Sequence, residues 1–291
     1  AQTPFRRSSL VMADHFSLSE GKIPGGLSRI EAVREFAISA QVQSRYQQFY
    51  GELAPLPVPL FVHHFSPTQN ARTQSRLESQ LSAAAFERVA PLLESGLAVY
   101  TYFYRTAPIR ANVRGNGGGP KLRAHVAENL DVERATLSWV RLIVRLLYLG
   151  YLPYTLRNQN LGACMDFGNA TIDGGFCDPD SIVPMESCPD DEFFYSSLVE
   201  CLAILHNTVS RMAPESATYL YPGIEDFCLS RWLERSFEAM FASEARPGLT
   251  LDSRVHHLFA PESYQEVLRC TARKQRPSLY PAFLKRKAIK R

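Results

Sequence analysis

The chain of 291 residues is 45% hydrophobic and 21% charged, the profile of a globular protein long enough for one large domain or two lobes. Its 32 basic and 29 acidic residues leave a formal net charge of +3, too balanced to point to a nucleic-acid partner. No apolar run reaches the ~18 residues of a membrane span, so no membrane partner is expected either. The opening AQTPFRRSSLVMADHF has neither the apolar core nor the cleavage pattern of a signal peptide. The cysteines Cys164, Cys177, Cys188, Cys201, Cys228 and Cys270 form no Cys-x-x-Cys pair, and reduced thiols in a cytoplasmic protein are the expectation. His63–His64 and His256–His257 are adjacent pairs rather than i, i+4 ligands, which argues against zinc.

Residues 27–52 read as a helix: Leu27, Ile30, Val33, Phe36 and Ala37 recur at three- and four-residue spacing, and so do Val42, Tyr46 and Phe49. Pro55, Pro57 and Pro59 are expected to end it. LFVHHF reads as a short strand, and residues 68–96 as mostly helix or insertion. LAVYTYFYRTA is an aromatic, β-branched strand, alternating at Tyr100, Tyr102 and Tyr104. RGNGGGPK (114–121) holds four glycines and a proline and reads as a hinge, with no Gly-Lys-Ser/Thr to make it a phosphate loop.

Beyond the hinge the pattern turns helical. DVERATLSWVRLIVRLLYLGYL opens with Asp131 as N-cap and carries Leu137, Val140, Val144, Leu147 and Leu149 on one face. PDDEFFYSSLVECLAILHNTVSRM, PGIEDFCLSRWLERSFEAMFASEA and APESYQEVLRCTARK read as three more helices. Strands with one helix, then mainly helices, predict an α+β protein of two lobes. Residues 1–114 would form the N-lobe, 115–130 the connection, and 131–291 the helical C-lobe with a catalytic loop and hairpin at 152–176.

The stretch RNQNLGACMDFGNATIDGGF, Arg157 to Phe176, carries the chemistry. LGACM and ATI read as paired strands joined by the turn Asp166-Phe167-Gly168-Asn169. Asn160 and Asp173 would then return to the same end of the hairpin, where their hard oxygens suit magnesium. Their separation of thirteen residues is that of the asparagine and metal aspartate of kinase-like sites. Asp166 is the alternative ligand, and the stretch alone also fits an ordinary surface hairpin without metal.

Three stretches resemble the selenoprotein-O family. GGLSRIEAVREFAIS resembles its helix with an Arg-Glu pair after a glycine, here Gly25, Arg34 and Glu35. YRTAPIRANV resembles its Arg-Val-Ala-Pro strand and the arginine beyond, here Arg105 and Arg110. The Thr-Ile-Asp-x-Gly of residues 171–175 resembles its metal-site hairpin. The resemblance implies a bilobal protein-kinase-like fold that binds ATP and magnesium and transfers AMP to a hydroxyl of a protein or peptide acceptor. It implies Asn160 and Asp173 as metal ligands, Arg105 and Arg110 as nucleotide-pocket arginines, and Glu35 as partner of a nucleotide lysine. The family's lysine spacing falls on Met12, and Lys22 is the nearest substitute. The family's aspartate before the metal asparagine is Gln159 here, and an amide cannot act as general base. A pseudokinase-like scaffold or peptide-maturation factor that binds a partner without turnover is therefore the alternative.

Overall fold

The tyrosine-rich strand is the middle of a three-stranded antiparallel sheet. In the computed structural model, which describes residues 27–84, 86–87, 97–104, 131–153, 171, 174–176, 182–188, 190–212 and 229–260, β1 (Leu27–Ser28), β2 (Val58–His64) and β3 (Leu97–Tyr104) pair in the order β1-β3-β2. Val58 lies opposite Tyr104 and Val62 opposite Thr101, with irregular register between Pro59 and Phe61 and between His63 and His64. Proline cannot donate to a ladder, and Pro59 sits on a strand paired only on one side among the described residues. The chain divides into two compact units: Ala1–Gln41 with Pro57–Arg105, and Val42–Leu56 with Thr106–Arg291.

Helix α1 (Arg29–Tyr50) fills nearly the whole of the span expected from periodicity. Its buried stripe is Ala32, Ser39, Val42, Gln43 and Tyr46. Val33 is 47% exposed and Ala37 is exposed too, against expectation, because both lie off the stripe that packing selects. The helix stops earlier than the prolines require. Gly51, at φ +72°, takes the left-handed turn that L side chains resist, and its N–H donates to the Gln47 carbonyl at 2.9 Å. Buried Gln43 then shapes the following turn: its Nε2 donates to the Ala54 and Leu56 carbonyls at 3.2 and 3.1 Å, while its Oε1 accepts from the Ala54 N–H at 2.9 Å. Helix α2 (Pro67–Gln80) begins with a reciprocal cap, Ser66 Oγ accepting from Gln69 N at 3.3 Å and Gln69 Oε1 accepting from Ser66 N at 3.0 Å.

In the second unit α3 (Val132–Tyr148) is capped as expected, Asp131 Oδ1 accepting from Arg134 N at 2.9 Å. Trp139, Val140, Leu142, Ile143, Val144, Leu146, Leu147 and Leu149 are all at most 1% exposed, a face wide enough to meet several neighbours. Gly150, at φ +80°, ends the helix and leads into β4 (Tyr151–Leu152), which pairs antiparallel with β5 (Val183–Pro184). Helix α4 (Asp191–Met212) buries Phe194, Leu198, Cys201, Leu202, Leu205 and Val209, a single helical stripe. Helix α5 (Leu229–Glu244) packs chiefly on α3. A short α6 (Ser253–Phe259), not expected from the sequence, brings Phe259 to Phe237 and Phe241 with ring centroids 5.0 and 4.8 Å apart. The helix expected at APESYQEVLRCTARK, the hinge at 114–121 and most of the 152–176 segment lie outside the described residues.

The described part is thus mixed helix and sheet with helix predominating, in keeping with the α+β expectation. No helix among the described residues is long and apolar enough to cross a membrane.

Candidate functional site

Helix α3 places an indole against the end of the chemistry-bearing stretch. Thr171 N donates to the Gly175 carbonyl at 2.9 Å, and Gly174 N to the Thr171 carbonyl at 3.1 Å. The Thr171 hydroxyl oxygen accepts from Gly175 N, also at 3.1 Å. These bonds tie Thr171 to Gly174 and Gly175. The turn is seated on its neighbours by backbone. Trp139 Nε1 donates to the Gly175 carbonyl at 3.0 Å, and Phe176 N donates to the Pro55 carbonyl at 3.1 Å. The Trp139 and Phe176 rings stack with centroids 6.2 Å apart.

Both glycines are required by contact. A Cβ on Gly174 would lie 2.3 Å from Ser138 Cβ, and its φ of +83° already disfavours any L side chain. A Cβ on Gly175 would lie 2.2 Å from the Pro55 carbonyl oxygen. The Asp-Gly-Gly sequence is therefore legible as a close backbone approach, to α3 on one side and to the turn after α1 on the other.

Of the site residues expected from sequence, Glu35 is described, half-buried on α1. Asn160, Asp173, Asp166, Arg105, Arg110 and Lys22 lie outside the described residues, as do Gln159 and Met12. An asparagine amide oxygen and an aspartate carboxylate are a donor set that suits magnesium better than a soft metal. Among the described residues no group of three or more His, Cys, Asp or Glu could hold a metal ion.

A second polar cluster was not anticipated. Arg145 stands in the apolar run of α3 and is 7% exposed. Its Nε donates to Glu244 Oε2 at 2.7 Å and its Nη1 to the Tyr46 hydroxyl at 2.8 Å, with Glu52 as a further close partner. Its guanidinium lies over the Tyr50 ring at 4.3 Å and the Tyr46 ring at 5.2 Å. Arg141 Nε reaches Glu244 Oε1 at 3.1 Å, and the Tyr50 hydroxyl donates to the Glu244 carbonyl at 3.3 Å. The one sequence signal was an arginine between Val144 and Leu146 on a helix face that must be buried. A buried cation needs partners, and here three elements supply them.

Electrostatics follows the packing. Burial pushes the Tyr46 hydroxyl up to about 12, with Arg145 pulling the other way. Burial likewise raises Tyr50 and Tyr148. Burial works to lower Arg145, but its bonds to Glu244 and Glu52 prevail and hold it more firmly charged than usual. The Asp252 carboxylate, bonded to Arg254, is held below the ordinary range. Its hydrogen bonds and ion pairs make the cluster a fastening between α1, α3 and α5. No protein-family model, curated protein or solved structure matches the chain.

Proposed function

We propose that the chain is a magnesium- and ATP-dependent transferase of protein-kinase-like build, moving AMP to a hydroxyl of a protein or peptide in the manner of the selenoprotein-O family. The order of elements supports this reading: a helix bearing Glu35, two antiparallel strands, helix α3, the glycine turn that follows Asp173, then further helices. The observation that carries it is the seat of that turn. Gly174 lies so close to the Ser138 side chain, and Gly175 to the Pro55 carbonyl, that neither has room for a Cβ. A metal ligand needs such support, because a site must hold its groups to within ~0.5 Å.

In this reading Asn160 and Asp173 hold the ion, whose role is to neutralise phosphate charge. Arg105 and Arg110 fork onto phosphate oxygens. Glu35 orients a lysine, for which Lys22 is the candidate. The acceptor hydroxyl oxygen bonds to the α-phosphorus as the bond from that phosphorus to the pyrophosphate oxygen breaks. The hydroxyl proton passes to water, since the Gln159 amide cannot accept it. Phosphoryl chemistry rests mainly on positioning and charge, so the missing base does not forbid transfer.

Gln159 and Met12, standing where the family has an acid and a lysine, favour a second reading: a pseudokinase-like scaffold or peptide-maturation factor that binds a partner without turnover. Incubating the protein with α-labelled and γ-labelled ATP separates the two. Label from the α position on protein supports AMP transfer. Label from γ alone identifies a phosphotransferase, and label from neither, with ATP bound, selects the scaffold.

A further inference from the structure

We draw no further inference here: the strongest candidate, the pair of exposed apolar side chains Leu60 and Phe61 on β2, an edge strand of the three-stranded sheet among the described residues, carries no proposal because nothing in the structure shows what covers it.

Discussion

Removing the Glu244 carboxylate should cost far more than removing Glu52, although both bind Arg145. The Glu244 side chain is 6% exposed and meets Arg145 at 2.7 Å, Arg141 at 3.1 Å and Arg246 at 3.6 Å. The Glu52 side chain is 60% exposed. Breaking a buried pair strands the remaining charge and costs about 3–5 kcal/mol, whereas exposed pairs contribute about 0–1 kcal/mol. In Glu244→Ala, Arg145 keeps Glu52 and the Tyr46 hydroxyl, and Tyr50 keeps its bond to the residue 244 carbonyl. That retained set places the expected loss at the low end, about 3 kcal/mol. At ~2 °C per kcal/mol for a chain of this size, the melting temperature should fall by about 6 °C. Glu52→Ala should fall by about 2 °C or less. Urea unfolding at constant slope provides the free energies. Equal losses from the two variants, or a Glu244→Ala protein as stable as wild type, would refute the assignment of Arg145 as a buried cation dependent on Glu244.

The Tyr46 hydroxyl supplies a pH dependence. Its folded value of about 12 stands above the ordinary 10, so the folded state holds the proton longer and stability falls as pH rises from 10 towards 12. The loss should be on the order of 2 kcal/mol by urea unfolding across that window, and Tyr46→Phe should flatten the part of the slope due to this group; an unchanged slope contradicts it. Gly174→Ala combines a φ of +83° with a Cβ 2.3 Å from Ser138 Cβ, so it should lose more than about 1 kcal/mol in unfolding. Gly248→Ala, at a similar φ but with the nearest atom at 3.9 Å, should lose only the strain portion. Equal losses at the two positions would remove the argument for a close seat.

Periodicity carried most of the described elements. Helices α1, α3 and α4 each present residues at three- and four-residue spacing, and that signal depends on the local chain alone. It misplaced Val33 and Ala37 because a helix's inward stripe is chosen by its partners, and the stripe through Ala32, Ser39 and Tyr46 is one position away. It missed α6 because seven residues hold barely two turns, too few to show a period. The stop of α1 was assigned to prolines that do forbid helix, but Gly51 acts four residues sooner. The candidate site was legible as chemistry rather than as contact. Asn160 and Asp173 read as hard oxygen ligands by type and spacing alone, and both lie outside the described residues. The seat against Pro55 and Ser138 had no local sign, since those residues stand far away in the chain and only the glycine pair hints that something passes close.

The central claim is that Asp173 helps to hold the ion for a bound nucleotide, and Asp166 does not. Thermal shift of the full chain with ATP, with and without magnesium, tests it directly in wild type, Asp173→Asn and Asp166→Asn. Ligand at 100 times its dissociation constant adds about 2.7 kcal/mol, a readily measured shift. We expect that shift in wild type only when magnesium is present. We expect Asp166→Asn to keep it and Asp173→Asn to weaken affinity tenfold or more, about 1.4 kcal/mol per decade. Loss in Asp166→Asn with retention in Asp173→Asn, or no shift in folded wild type at millimolar magnesium and ATP, would contradict the account.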